Sequence, residues 1–307
     1  MRFGIALPNY GPRATRQALI EISQEAEALG YDSIWATDVV VQTPSPEDER
    51  FWYSLEALTV AGYLAALTTR VQLGISVLVL AQRNPVLVAK EVATLDHLSN
   101  GRMVLGVGAG YHEPQFRWLG ADFKRRGPRL DEYIVAMREL WTAPEPRFEG
   151  RYVAFSDVVF LPRPVQPQGP RIVVGGSSPA ALRRVARLAD GWHPTSLTPA
   201  QYAAGMQQIR ELADGRPVEG TLRVRTVVDR HLGATMGGDS VVQVGLDGSP
   251  AALRARIEEY QAAGVEHLVA SFEAEDLQTT RRDMQRFAAE VCPAFHRALP
   301  MVDPWIP

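Results

Sequence analysis

Cysteine and lysine are nearly absent from this chain of 307 amino acids. Cys292 is the only cysteine, so the chain can form neither an internal disulfide nor a cluster of metal-binding thiolates. Lys90 and Lys124 are the only lysines, and we expect the first in a helix and the second in a loop. Few positions remain for a Schiff-base lysine, which argues against an aldolase-type barrel enzyme.

Long apolar runs and a strong net charge are missing as well. No apolar run approaches the roughly 20 residues that span a bilayer, and the N-terminal MRFGIALP is too short for the apolar core of a signal peptide. A net charge of −3 provides no attraction to nucleic acid or to an anionic membrane. We therefore expect a soluble cytoplasmic protein that acts on a small organic molecule, with neither nucleic acid nor a membrane as partner.

Metal-binding and hydrolase motifs are also lacking. His112 and Glu113 are adjacent, and adjacent residues do not share a helix face. The other histidines are scattered along the chain, and the sequence contains no G-x-S-x-G motif. We predict no metal site.

Short β-branched segments alternate with helical patterns along the whole chain. The predicted strands are residues 3–7, 33–37, 71–78, 102–110, 171–174, 191–194, 223–229 and 267–271, and the predicted helices include 16–29, 55–67, 128–141, 199–212 and 250–263. Eight strand–helix alternations match a TIM barrel, which usually takes ~250 residues and grows with insertions. The sequence predicts an α/β fold: one (β/α)8 TIM-barrel domain over residues 1–307, with an inserted hairpin segment at about 147–170.

A further helix begins after the third strand and has clear signals at both ends. Asn84 precedes Pro85, which is the arrangement of a side-chain cap followed by proline at the first helical position. Helical spacing predicts that Val88, Val92, Leu95 and Leu98 are buried. The following Asn-Gly pair predicts a left-handed C-terminal stop.

The predicted strand ends are rich in glycine and small residues, which is typical of a groove for a flat cofactor. Gly106, Gly108 and Gly110 lie in the run GVGAG. A dinucleotide fingerprint needs a differently spaced third glycine and an acidic residue after the next strand, whereas Asp131 lies in a predicted helix. We interpret these glycines as positions where a missing side chain lets a ring or a backbone segment approach closely.

A second glycine-containing turn, Gly175-Gly176-Ser177-Ser178, precedes a helix that starts with Pro179. A helix N-terminus presents unpaired backbone N–H groups with partial positive charge, and glycine allows an oxyanion to approach them. The turn is therefore a candidate phosphate site. The alternative is that Ser178 only caps its own helix.

The stretch RRGPRLDE also has two interpretations. Arg126 or Arg129 reaches the phosphate or the acidic tail of a cofactor, or else Asp131 and Glu132 face the N-terminal dipole of their helix.

Four stretches resemble the bacterial luciferase-like monooxygenase superfamily, and most closely its branch that depends on the deazaflavin coenzyme F420. They are EALGYDSIWATD, NPVLVAKEVATLDHLSNGRMVLGVGAGY, RGPRLDEYIVAMRELW and PRIVVGGSSPAALRRVARLADGW. The resemblance covers almost the whole chain. It implies a TIM barrel, hydride transfer between the deazaflavin and a small organic substrate, and a homodimer.

The resemblance also implies positions for cofactor contacts. Asp38 matches the acidic residue after the second strand, and Ser76-Val77 matches a bulge, often with a non-prolyl cis peptide, behind the ring. The remaining matches are Val79, the Ala109-Gly110 turn, and the phosphate turn Gly175, Gly176, Ser177 and Ser178 with Ala180 and Ala181.

Two positions depart from the members of this branch that oxidise sugar phosphates. Val39 replaces a histidine, and Tyr111 replaces a catalytic glutamate. Both changes argue against sugar-phosphate dehydrogenase activity. Tyr111, His112 and Glu113 are then the candidates for a different proton donor.

Several functions remain open at this stage. FMN carries a ring, a ribityl chain and a phosphate like the deazaflavin, so an FMN-dependent reductase or monooxygenase is the main alternative. A flavin-binding protein without turnover and a non-redox barrel enzyme are the others. The sequence does not identify the substrate.

Overall fold

Eight parallel strands close into a barrel in the computed structural model, which describes residues 1–232, 235–237, 240–242 and 244–295. The barrel strands are β1 (Arg2–Ala6), β2 (Ser33–Ala36), β3 (Gln72–Val79), β4 (Met103–Gly108), β7 (Arg171–Val174), β8 (Gly191–Trp192), β9 (Glu219–Thr226) and β12 (His267–Phe272). They follow one another around the barrel in chain order, and β12 pairs with β1 to close it.

Helices follow the barrel strands. They are α1 (Arg16–Ala28), α2 (Ala57–Ala65), α3 (Pro85–Leu98), α4 (Glu113–Trp118), α5 (Arg126–Thr142), α6 (Pro179–Leu188), α7 (Pro199–Leu212), α8 (Pro250–Ala262) and α9 (Leu277–Glu290). The alternation confirms the predicted (β/α)8 TIM barrel. Within the described residues, no helix is both long enough and apolar enough to cross a membrane.

Two short antiparallel hairpins lie outside the barrel. The predicted insertion contains β5 (Phe148–Glu149) and β6 (Ala154–Phe155), in which the rings of Phe148 and Phe155 stack. The Glu132 carboxylate of α5 accepts three backbone N–H groups of residues 151–153, so it fixes this hairpin to the barrel wall. The second hairpin, β10 (Thr235–Gly237) and β11 (Ser240–Val242), was not predicted.

The ends of α3 are as predicted, but one of its buried positions is wrong. The Asn84 side chain accepts from two N–H groups of the first turn, and φ of Asn100 is +54°. Val88, Val92 and Leu95 are buried, whereas Leu98 is 66% exposed. At about 100° per residue, Leu98 lies about 80° from Val88 around the helix, so it leaves the apolar face.

The seventh barrel strand starts earlier than the predicted 223–229. It runs from Glu219 to Thr226, because Glu219 and Gly220 pair with β8 and the next residues pair with β12. Strand propensity is low at Glu219 and Gly220, and pairing with neighbouring strands overrides it.

The barrel interior is filled by side chains. Trp35, Val104, Val173 and Val269 form a buried cluster, separate from the larger apolar core. A Cβ on Gly74 would lie 2.2 Å from the Trp35 ring, so this glycine makes room for the indole. The barrel is therefore a packed scaffold, and its chemistry is expected at the rim where the strands end.

Candidate functional site

The carboxyl ends of neighbouring strands bring several predicted site residues together at one rim. Asp38, Val79 and Gly110, which follow or end β2, β3 and β4, line a small cavity with Tyr111 and His112. The cavity has a volume of about 40 Å³, which is room for a few water molecules. The Gly175–Ser178 turn follows β7, the strand next to β4 on this rim.

Strand β3 carries a bulge at the predicted position. The Ser76–Val77 peptide is cis, and the pairing of β3 with β4 shifts register between Ile75 and Leu78. A Cβ on Gly108 would lie 2.8 Å from Val77 Cγ2, and one on Gly175 would lie 3.2 Å from both Val77 methyl groups. These two glycines therefore make room for the Val77 side chain of the bulge. A Cβ on Gly106 would lie 2.0 Å from the Ile75 carbonyl oxygen, so this glycine allows a backbone segment to approach closely.

A buried histidine connects this bulge to the opposite side of the barrel. The Thr221 hydroxyl donates to the Trp192 carbonyl at 2.8 Å, so it accepts from His193 Nδ1 at 2.7 Å. His193 Nε2 then accepts from the Ser76 hydroxyl at 2.8 Å. Burial, assisted by the positive charge of Arg223, lowers the pKa of His193 to about 3. His193 is thus a neutral imidazole that holds Ser76.

Hydrogen bonds to other groups of the protein hold the Asp38 carboxylate in place. One carboxylate oxygen accepts the Val79 N–H at 2.9 Å, and the other accepts Arg83 Nη2 at 2.7 Å. Arg83 also contacts Glu56 at 3.2 Å. Burial raises the pKa of Asp38, while the Arg83 charge opposes that rise. Asp38 therefore orders the end of β3 and borders the cavity.

Arg223, on β9, is a site residue that sequence reasoning missed. Its guanidinium donates to Thr37 Oγ1 at 2.8 Å, to the Ser76 carbonyl at 3.2 Å and to the Tyr10 hydroxyl at 3.3 Å. Among the described residues it forms no ion pair with a carboxylate. The barrel mouth therefore carries a partly buried positive charge that is bonded to neutral acceptors only.

The turn after β7 caps its helix and leaves three backbone N–H groups without an acceptor among the described residues. The Ser178 hydroxyl oxygen accepts the Ala181 N–H at 3.2 Å, so it does cap α6. The backbone N–H groups of Gly176, Ser177 and Ser178 have no acceptor within the described part of the chain, and these residues are exposed. With φ of +90° at Gly176, the turn presents these donors to solvent. An anion site here remains a prediction.

The arginines of the RRGPRLDE stretch are hydrogen-bonded to protein groups, and their contact with a cofactor stays a prediction. Arg126 Nε donates to the Gly110 carbonyl at 3.1 Å, and Arg129 donates to the Tyr133 hydroxyl at 2.7 Å. Asp131 pairs with Arg184, and Glu132 holds the inserted hairpin. Both acids lie beyond the first turn of α5, so the helix-dipole interpretation is wrong. Arg126 fixes the turn after β4.

The three candidate proton donors have different positions. Tyr111 is 75% exposed beside the cavity, and Glu113 is exposed at the first residue of α4. His112 is partly buried, with Nε2 3.7 Å from an Asp48 oxygen. The structure therefore brings Tyr111 and His112, but not Glu113, to the cavity. No group of three or more side chains suited to a metal ion occurs among the described residues.

Comparison with known proteins places this architecture in a family. The family model described as luciferase-like monooxygenase matches residues 1–236. An uncharacterised protein of Mycobacterium tuberculosis H37Rv is 35% identical over 187 residues, 60% of this chain and 66% of that protein. An F420-dependent glucose-6-phosphate dehydrogenase of Amycolatopsis mediterranei is 37% identical over 191 residues, 61% of this chain and 54% of that enzyme.

A solved structure has the same fold over nearly the full length. The monooxygenase RslO1 from Streptomyces bottropensis superimposes with a TM-score of 0.81 at 22% identity, covering 96% of this chain and all of that one. The family model covers well over half of the chain, including the bulge at Ser76–Val77 and the turn after β7. The chain belongs to the luciferase-like monooxygenase family of enzymes.

Proposed function

We propose that this protein is an oxidoreductase that binds coenzyme F420 at the carboxyl rim of the barrel and exchanges hydride between it and a small organic substrate. The observation that carries the proposal is the placement of the open Gly176–Ser178 amides on the same rim as the Ser76–Val77 bulge. The 37% identical F420-dependent dehydrogenase supports the choice of cofactor.

The residues at this rim fit a phosphorylated ring cofactor. Three unpaired backbone N–H groups at the start of α6 suit a phosphate, and a side chain larger than hydrogen at Gly176 would be strained by its φ of +90°. Ser76, held by His193, and Val77, packed against Gly108 and Gly175, form a surface on which a flat ring would rest. When bound, the deazaflavin supplies a carbon that gives or accepts hydride.

The protein's own contribution is position and charge. His193 stays neutral and holds the Ser76 hydroxyl, which fixes the bulge. The Arg223 charge at the barrel mouth favours substrates on which negative charge develops at oxygen, such as carbonyl compounds and alcohols. Tyr111 and His112 are proposed proton donors, because they border the cavity.

FMN is the alternative cofactor. The Gly176–Ser178 amides recognise a phosphate and do not distinguish FMN from the deazaflavin. An FMN-dependent reductase or monooxygenase therefore uses the same rim.

Cofactor titration followed by turnover tests the proposal. We expect apo-protein to bind F420 more tightly than FMN in a fluorescence titration. Reduced F420 should then be oxidised by some members of a ketone and aldehyde panel, and glucose 6-phosphate should give no reduction of F420 because of Val39 and Tyr111. Tighter FMN binding, or FMN co-purifying in stoichiometric amount, would contradict the F420 assignment.

A further inference from the structure

Three hydroxyl groups surround the Arg223 guanidinium at the barrel mouth. Nη1 donates to Thr37 Oγ1 at 2.8 Å, and Nη2 donates to the Tyr10 hydroxyl at 3.3 Å and to Ser271 Oγ at 3.5 Å. Because a guanidinium only donates, each hydroxyl accepts from Arg223 and keeps its own hydrogen. None of the three hydroxyls donates to an acceptor within residues 1–232, 235–237, 240–242 and 244–295.

The protein holds these hydroxyls in place. Tyr10 and Thr37 follow β1 and β2, and the fully buried Asn9 connects the two loops. Its amide donates to the Thr37 carbonyl and accepts the Thr37 N–H, both at 2.8 Å. The Tyr10 ring packs on Phe51 with centroids 5.0 Å apart. The donors are therefore positioned before a ligand binds, which is the arrangement that stabilises negative charge most effectively.

The charge of Arg223 decides what these hydroxyls can bind. Arg223 is partly buried, and it has no carboxylate partner in the part of the chain that the structure describes. A charge that is partly removed from water without a partner is costly, and a bound anion offsets that cost. The Nη1 atom that contacts Thr37 also contacts the Ser76 carbonyl at 3.2 Å. A group held by the hydroxyls therefore lies beside the Ser76–Val77 bulge.

We propose that the hydroxyls of Tyr10, Thr37 and Ser271, together with the charge of Arg223, bind a carboxylate of the substrate. A carboxylate accepts several hydrogen bonds, and hydroxyl–carboxylate bonds are strengthened by its charge. A carboxylate beside the bulge places the neighbouring carbon close to the ring surface, so 2-oxo acids and 2-hydroxy acids are the substrate class. The carboxylate itself does not react: the oxo carbon gains hydride and its oxygen a proton, while reduced F420 is oxidised. This assignment rests on the proposed function and narrows its substrates.

Matched acids and esters test the charge of the ligand directly. Pyruvate and phenylglyoxylate are 2-oxo acids of different size, and their methyl esters lack the negative charge. Isothermal titration of apo-protein should show at least one acid binding roughly tenfold or more tightly than its ester. Binding of that acid should persist when the protein is saturated with F420. Failure of both acids to bind more tightly than their esters would overturn the proposal, and so would displacement of the acid by F420, which would assign the hydroxyls to an anionic group of the cofactor.

Two variants test the hydroxyls while keeping the shape of the side chains. Tyr10→Phe and Thr37→Val should each weaken binding of the preferred acid about tenfold and leave binding of its ester unchanged. Tyr53→Phe, which alters an exposed tyrosine on the neighbouring loop, should bind the acid like the wild type. Thermal denaturation verifies that all three variants are folded. Unchanged affinity for the acid in folded Tyr10→Phe and Thr37→Val would contradict the proposal.

The acid titration of apo-protein does not depend on the cofactor, so the two proposals can fail separately. F420 binding in a protein without a preference for acids would leave the proposed function intact and overturn the carboxylate site. A preference for acids that the Tyr10 and Thr37 variants lose, in a protein that does not bind F420, would support the carboxylate site and contradict the proposed cofactor.

Discussion

Two histidines inside the barrel are uncharged because the protein excludes water from them. His193 stacks on the Trp35 ring with centroids 4.6 Å apart and bonds to Ser76 and Thr221. His267 shares the Ser33 hydroxyl with the Trp35 indole N–H. Burial lowers the pKa of His193 to about 3 and that of His267 well below its ordinary value. Both act as hydrogen-bonding groups within the scaffold, not as acids.

A pH dependence of stability follows for His193. The unfolded chain takes up this proton near the ordinary pKa of 6.5, while the folded protein does so only near 3. Stability from the neutral histidine is therefore complete above about pH 6.5 and falls as the pH drops towards 3. We expect the unfolding free energy of the wild type to decline more steeply than that of His193→Gln, by up to about 1.4 kcal/mol per pH unit. Denaturant unfolding between pH 6 and 4 measures both free energies. Equal declines for the wild type and His193→Gln would contradict this expectation.

Two helices start with the same Ser-Pro sequence, which makes them internal controls for each other. The Ser178 hydroxyl accepts the Ala181 N–H at 3.2 Å in α6, and the Ser249 hydroxyl accepts the Ala252 N–H at 3.3 Å in α8. Only α6 is preceded by the Gly-Gly-Ser turn after β7, so only its start is a candidate phosphate site.

Serine variants separate capping from phosphate binding at these helices. Ser178→Ala and Ser249→Ala should each lower the unfolding free energy by about 1 kcal/mol, since each loses a cap. Ser177→Ala should leave stability unchanged, because its side chain makes no hydrogen bond to described residues. Titration with F420 should show weaker binding for the Ser177 and Ser178 variants only. If all three variants bind F420 with equal affinity, neither the Ser177 nor the Ser178 hydroxyl contacts the phosphate.

One charge cluster lies at the end of the barrel opposite to the candidate site. Arg2, Arg171 and Glu219 are the first residues of β1, β7 and β9, and Glu219 pairs with both arginines. They lie at the amino rim, away from Ser76 and the Gly175–Ser178 turn. In barrels of this kind the amino rim contributes mainly to stability.

Replacing the Glu219 carboxylate should therefore lower the stability of the fold without changing cofactor binding at the carboxyl rim. We expect Glu219→Gln to lower the unfolding free energy by about 1–2 kcal/mol, because two half-buried arginines lose their counter-charge. The dissociation constant for F420 should stay within twofold of the wild type at a temperature where both are folded. A large loss of affinity in the folded variant would contradict the separation of the two rims.

Features that depend on neighbours along the chain could be predicted from the sequence. Helix caps at Asn84 and Ser178, the left-handed stop at Asn100 and the alternation of strands and helices all rest on contacts within a few residues. These local preferences predicted the barrel and the turn after β7. The resemblance pointed to the bulge at Ser76–Val77.

Contacts between residues far apart in the chain could not be predicted in this way, because they depend on how the barrel closes. Ser76 meets His193 across 117 positions, and Arg223 reaches Thr37 across 186. The contact of Tyr10 with Arg223 and the role of Gly108 beside Val77 also depend on what the barrel packs against them. No local pattern specifies such pairs, because closing the barrel fixes which strand ends face one another. The early start of β9 at Glu219 has the same cause, since strand pairing overrides the weak local preference there.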